Sequence, residues 1–226
     1  MKKGKIKKED VKITLVGDIA GKTSFLYRYT EDYFNESAAV ITIGVNNFQK
    51  NLKLFNGSNI KIFFYDIGAQ EKLQNIALQY VRKSHGVIIM YNIANYFSFQ
   101  KALYWIAEIK DYKEDIPIII IGNMCDKENG DRRIIKEEEE KLAQKYNFHF
   151  YESSSKLGIN IEEPINDLVE QILKQRYGDK DKDNYKIKIE KNDKNIKEKK
   201  ISEKDIIKKE EKKESIEIKK NNKEKK

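Results

Sequence analysis

Cysteine, proline and long apolar runs are scarce in this chain. A single cysteine, Cys125, leaves no partner for an internal disulfide, which fits a reducing compartment. Two prolines in 226 residues, beside abundant Lys, Asn and Ile, mark a bias of the whole composition. Single Lys or Asn residues therefore carry little weight by themselves. The longest apolar runs, Val87–Tyr91 and Ile116–Ile121, are strand-length, whereas a membrane span needs about 20 apolar residues. The basic start Met1-Lys2-Lys3-Gly4-Lys5 is followed by no apolar stretch, so no secretory signal is expected. No cysteine lies near the C-terminus and residue 2 is Lys, so neither prenyl nor myristoyl attachment is expected. The two histidines, His85 and His149, have no metal-ligand spacing around them.

Charge is unevenly placed. From Gly178 onward, nineteen lysines stand against thirteen acids. That stretch holds most of the chain's net +8, and residues 11–177 are nearly neutral. No specific nucleic-acid face is expected on such a body. Residues 178–226 lack the apolar content to offset chain entropy and are expected to be a disordered tail. Any membrane association is expected to be indirect or weakly electrostatic. Each basic residue near an anionic surface is worth roughly 1 kcal/mol, and the interleaved acids offset it.

The body alternates in period. Val11–Val16, Gly86–Ile93 and Pro117–Gly122 are apolar runs expected to be strands covered on both faces. Phe48–Phe55 and Ile60–Asp66 flank Asn56-Gly57, the signal of an antiparallel hairpin. Phe148–Tyr151 is a short strand. Helical spacing marks Lys22–Tyr29, Gln70–Lys83, Phe97–Tyr112, Lys136–Tyr146 and Ile161–Tyr177. The expected fold is α/β: a three-layer P-loop arrangement with a mixed, mostly parallel six-stranded sheet and helices on both faces. Residues 1–10 are a basic arm, 11–177 one domain and 178–226 the tail. Ligands of such sheets bind beyond the carboxyl ends of the strands. Three candidate motifs fall there: Gly17–Thr23, Asp66–Glu71 and Asn123–Asp126.

Gly17-Asp18-Ile19-Ala20-Gly21-Lys22-Thr23 carries the clearest chemistry. A strand precedes it and a helix follows, the layout of a phosphate-cradling loop. Backbone N–H groups of 18–22 can line a phosphate, and the helix N-terminus favours negative charge. The usual pattern has four residues between the first Gly and Gly-Lys; this chain has three.

Together with Ile41-Thr42-Ile43-Gly44-Val45, Tyr65-Asp66-Ile67-Gly68-Ala69-Gln70-Glu71, Gly122-Asn123-Met124-Cys125-Asp126 and Glu152-Ser153-Ser154-Ser155-Lys156, this loop resembles the Ras superfamily of small GTPases. Tyr80–Ile88, Ser98-Phe99 and Trp105 with Glu108-Ile109 resemble its Rab branch in particular. The resemblance spans about 11–177. It implies a GTP/GDP switch, a slow GTP hydrolase acting in vesicle-mediated transport with Mg²⁺. The implied nucleotide contacts are Gly17, Asp18, Gly21, Lys22, Thr23, Ser24, Thr42, Asp66, Ala69, Asn123, Asp126, Ser154, Ser155 and Lys156. Thr23, Thr42 and Asp66 would hold the metal. Lys22 would neutralise β- and γ-phosphate oxygens, and Gln70 would orient the attacking water. Asp126 would accept from N1–H and N2–H₂ of guanine, and Asn123 would tie that loop to the phosphate loop. The resemblance also implies a monomer that meets an effector, an exchange factor and an activating protein. Its place would be cytoplasmic, peripheral to endomembranes, with no prenyl-dependent partner. Phe48, Tyr65 and Tyr80 match an aromatic triad that Rab proteins present to effectors.

Four positions depart from the family pattern. The phosphate loop is one residue short. Gly68-Ala69 reverses the usual Ala-Gly before Gln70. Met124 replaces the Lys of the guanine motif, and Ser155 replaces an Ala. These departures leave an alternative open: a pseudo-GTPase that keeps the fold as a binding module with little or no turnover.

Overall fold

The computed structural model describes residues 10–35, 42–127, 131–178, 186 and 187. All lie in one compact unit, Met1–Lys188. The expected basic arm up to residue 9 and the tail beyond residue 187 fall outside the described residues, as does Ile41.

Among the described residues, six strands form the sheet: β1 (Val11–Val16), β2 (Val45–Lys53), β3 (Asn59–Ile67), β4 (Gly86–Asn92), β5 (Ile118–Asn123) and β6 (His149–Ser153). Their order is β2-β3-β1-β4-β5-β6. Only β2 and β3 are antiparallel, joined at Asn56-Gly57, where Gly57 has φ +82°. The other pairs are parallel, with Leu15 opposite Asp66 on one side and opposite Ile88 on the other. The chain leaves β1 toward β3 and later returns to its opposite edge as β4. The carboxyl end of β1 is thus a topological switch point, where open α/β sheets hold ligands.

Among the described residues, the sheet is covered by helices α1 (Lys22–Glu31), α2 (Gln74–Lys83), α3 (Tyr96–Tyr112), α4 (Lys136–Tyr146) and α5 (Glu163–Tyr177). Alternation along each strand sends neighbours to opposite faces. In β4, Ile88 and Met90 pack with Phe25 and Leu26 of α1 and Leu168 and Ile172 of α5. Val87, Ile89 and Tyr91 pack with Val81 of α2 and Ile106 of α3 on the other face. β4 and β5 are buried at every residue, as their unbroken apolar runs require. No helix among the described residues is long and apolar enough to cross a membrane.

Most element boundaries shifted by a residue or two, and three shifts bear on the site or on packing. Helix α2 begins at Gln74, after a tight single turn at Glu71–Leu73, so Gln70 belongs to a loop and not to a helix. The hairpin strands extend to Val45 and Ile67, because the ladder continues past the apolar residues that mark them in sequence. Helix α5 starts at Glu163, with Pro164 in its first turn, where a missing N–H costs nothing.

Two residues of the expected tail pack on the body. Phe55 N–H donates to the Lys186 carbonyl at 2.9 Å, and Ile187 bridges Leu54 in antiparallel fashion. Ile187 is buried and belongs to the apolar cluster on the α1 and α5 face of the sheet. Tyr185, Ile187 and Ile189 alternate with Lys186 and Lys188, a period too short to stand out in a lysine-rich stretch.

Candidate functional site

The loop Gly17–Gly21 leaves β1 where a side chain cannot fit. A Cβ on Gly17 would stand 1.9 Å from the Met90 carbonyl oxygen, and its φ is +124°. Ile19 takes φ +50°, a left-handed value that β-branched residues avoid. Its side chain is 63% exposed, so the strain is not relieved by packing. Gly21 precedes α1 at φ +71°, and no side chain caps the helix there. The first turn holds no acid. This ten-residue helix therefore presents bare N–H groups and the positive end of its dipole to the loop.

Lys22 turns back along the loop. It is 6% exposed, and its Nζ donates to the Gly17 carbonyl at 2.5 Å. Burial pulls this ammonium below the ordinary lysine range, opposed by the charges of Asp66 and Asp18. A buried cation with one neutral acceptor suits an anionic ligand.

Three oxygen-bearing side chains converge beside it. Thr23 Oγ1 lies 2.6 Å from Asp66 Oδ2 and 2.7 Å from Thr42 Oγ1, and Thr42 Oγ1 donates to Asp66 Oδ2 at 3.3 Å. Asp66 is fully buried, and its Oδ1 has no hydrogen-bond partner. Two hydroxyls and a carboxylate with an orphan oxygen form a hard-donor set that fits Mg²⁺. Thr42 reaches this point because Gly68 has no side chain. A Cβ there would stand 2.3 Å from the Thr42 carbonyl oxygen, and Gly68 N–H donates to Gly44 at 2.9 Å. The reversed Gly68-Ala69 order thus lets the Thr42 segment close onto the end of β3. Ala69 is exposed, and Gln70 has a buried Oε1 with no hydrogen-bond partner.

The second half of the site follows β5 and β6. Asn123 Nδ2 donates to the Ala20 carbonyl at 2.8 Å, tying this loop to the phosphate loop. Its Oδ1 accepts from Ser153 Oγ at 3.0 Å and Ser155 N–H at 3.3 Å. Ser155 Oγ lies 3.3 Å from Asn123 Nδ2, a contact that Ala could not supply. Asp126 Oδ1 accepts from Ser154 Oγ at 2.5 Å. Met124 takes φ +68°, and its methyl group lies near Gly21.

A pocket of about 680 Å³ joins the two halves. Gly21, Lys22, Thr23 and Ser24 line one part. Thr42, Ala69 and Gln70 line a second; Asn123, Met124, Asp126, Ser155 and Lys156 line a third. Gly17, Asp18, Asp66 and Ser154 do not line it. Gly17 and Asp18 border a water-sized cleft shared with Gln70. Asp66 and Ser154 stand behind residues that do line the pocket. Sequence reasoning missed Tyr33 and Phe34, which also line it. Their signal, two aromatics just past a helix end, is too common to single out.

The expected aromatic triad is not assembled. Phe48 packs on Tyr27 at 5.0 Å, on the α1 face of the sheet. Tyr65 and Tyr80 meet at 4.8 Å on the other face. Asn47, not Phe48, stands opposite Tyr65 in the ladder. A one-residue offset along a strand reverses the face.

Fold and site together have the layout of a P-loop protein of the small GTPase class. The Ras family model matches residues 12–174. The chain is 36% identical over 165 residues to Ras-related protein Rab-10 of Caenorhabditis elegans, covering 72% of this chain and 80% of that one. It is 37% identical over 163 residues to Ras-related protein Rab-8A of Bos taurus, covering 71% and 77%. Ras-related protein Rab-15 of Homo sapiens is 34% identical over 164 residues, covering 72% and 76%. The chain belongs to the Ras family, as a divergent small GTPase of its Rab branch.

Proposed function

We propose that this chain is a GTP/GDP switch that hydrolyses GTP slowly and serves vesicle traffic through an effector. The observation that carries the reading is one pocket uniting an uncapped helix N-terminus, a buried lysine and the Asn123–Asp126 loop. The N–H groups at the start of α1 and the Lys22 ammonium bind the phosphates. Thr23, Thr42 and Asp66 are the residues that would hold Mg²⁺, which offsets phosphate charge when bound. Thr42 joins that set only while its segment lies against Gly68, so release of the segment is the switching motion. Gln70 orients the attacking water through its side-chain amide, whose Oε1 has no competing partner. Asp126 accepts from the guanine edge, and Asn123 keeps base and phosphate loops in register. Exchange factor, activating protein and effector would act on the Thr42 and Gln70 segments. Association with endomembranes would be peripheral.

The test is nucleotide content of the purified protein, followed by titration with fluorescent GDP and GTP in Mg²⁺. Submicromolar binding is expected. Absence of both bound nucleotide and measurable affinity would refute the reading. Asp126→Asn replaces an acceptor by a donor, so preference should pass from guanine to xanthine nucleotides; unchanged preference removes Asp126 from base selection. Single-turnover hydrolysis separates switch from binding module. Background turnover in the presence of a candidate activating protein, with binding intact, would favour the pseudo-GTPase.

A further inference from the structure

Arg28 lies on α1 and does not line the pocket. Its side chain is one-fifth exposed, and its guanidinium serves four acceptors. Nε donates to the Ser155 carbonyl at 2.9 Å and Nη2 to the Lys156 carbonyl at 3.1 Å. Nη1 donates to the Asp32 carbonyl at 3.1 Å and to Asp32 Oδ1 at 3.0 Å. Only a planar fork with five N–H donors can serve acceptors so placed; an ammonium cannot span them.

Two of those acceptors are consecutive carbonyls of the loop beyond Ser154. In a trans peptide, each carbonyl points away from the N–H of the next residue. No cis peptide occurs among the described residues. Holding the Lys156 carbonyl therefore fixes the direction of Leu157 N–H. That N–H donates to Ser154 Oγ at 3.1 Å. With its oxygen so engaged, the Ser154 hydroxyl sends its proton to Asp126 Oδ1, 2.5 Å away. Ser154 is fully buried, so water does not compete for either bond. Each carboxylate oxygen has two acceptor sites, so Asp126 keeps capacity for the base.

We infer that Arg28 is a positioning residue for base selection. It acts through the Lys156–Leu157 peptide and the Ser154 hydroxyl to hold the Asp126 carboxylate at the guanine edge. This rests on the reading of the pocket as a guanine-nucleotide site. The chain of contacts runs Arg28, peptide, Ser154, Asp126, and each link is a hydrogen bond of 3.1 Å or less. The Asp32 contacts orient the other edge of the guanidinium, but they lead away from the loop.

The test compares GDP with inosine diphosphate, which lacks the 2-amino group that Asp126 would accept from. Ribose, phosphate and metal contacts are common to both ligands and cancel in the affinity ratio. The full chain and its Arg28→Gln and Arg28→Lys variants are titrated with each, and thermal unfolding is recorded for all. Arg28→Lys keeps the charge and the aliphatic stem, so it holds the fold if Gln does not. The expected result is a GDP:IDP ratio lowered about tenfold in both variants, the worth of one hydrogen bond to a charged group. Asp32→Gly removes the exposed ion pair at a C-cap of φ +50° that glycine tolerates, and should change the ratio less than about twofold. Equal loss of GDP and inosine diphosphate affinity, with the ratio unchanged, would overturn the inference and leave Arg28 a brace. Retention of the full ratio by Arg28→Lys would overturn it as well. A parent chain that binds neither nucleotide would overturn the guanine-site reading itself, an outcome distinct from both.

Discussion

Arg132→Met should expose how the sheet's far edge carries buried charge. Arg132 Nη2 lies 2.7 Å from Glu139 Oε2 of α4 and 2.5 Å from Glu152 Oε1 of β6. Tyr91 of β4 donates its hydroxyl to Glu139 Oε1. Glu139 is 1% exposed. One guanidinium thus holds two carboxylates, one of them sealed from water. Burial pushes the Glu139 carboxyl from 4.5 up to about 7, Glu152 adds to the rise, and Tyr91 and Arg132 oppose it. Removing Arg132 takes away a cation and leaves the two acids facing each other. Breaking a buried ion pair from one side costs about 3–5 kcal/mol.

The cost should depend on pH, with a definite sign. Glu139 holds its proton more tightly folded than unfolded. The resulting stability is complete below about pH 4.5 and is lost as pH rises through the folded value of about 7. Without Arg132 the folded value rises further and the window extends upward. Urea unfolding should therefore show a larger penalty at about pH 8.5 than at about pH 5.5, by about 1–2 kcal/mol. Glu139→Gln in the Arg132→Met background keeps the Tyr91 bond without the charge and should recover most of the loss, measured as a double-mutant cycle. A penalty equal at both pH values, or below about 1 kcal/mol at the higher one, would refute the reasoning.

Two further perturbations address the short loop and the returning segment. Ile19→Gly removes a left-handed β-branched residue at an exposed position. Relief of about 1–2 kcal/mol is partly offset by glycine's chain entropy, so a small rise in the unfolding midpoint is expected; a clear fall would mean that the φ of +50° is unstrained. Ile187→Ala deletes three buried carbons against α5 and Leu54 and should cost about 2 kcal/mol in denaturant unfolding. A cost near zero would show that Ile187 leaves the body in solution.

Legibility in the sequence followed locality. The unbroken apolar runs of β4 and β5 stand in sequence because both faces are covered, and the structure buries every residue of each. Asn56-Gly57 marked the hairpin because only a few residues tolerate its turn. The strand-to-helix setting of Lys22 and Thr23 was equally plain. The Phe48 expectation failed at register: no local property says which of two adjacent residues faces α2, and the ladder placed Asn47 opposite Tyr65.

The sequence by itself determined the order of elements, the phosphate loop and the residue types at each candidate contact. These depend on periodicity and on chemistry within a few positions. Tertiary structure decided the rest. The short loop's length was visible, but only the fold shows Ile19 at φ +50° within it and Asn123 gripping the Ala20 carbonyl. Arg28 reaches Ser155 across 127 positions, and Thr23 reaches Asp66 across 43. Such contacts exist only once β1, β3 and β6 share one sheet, because that sheet brings their carboxyl ends to one edge.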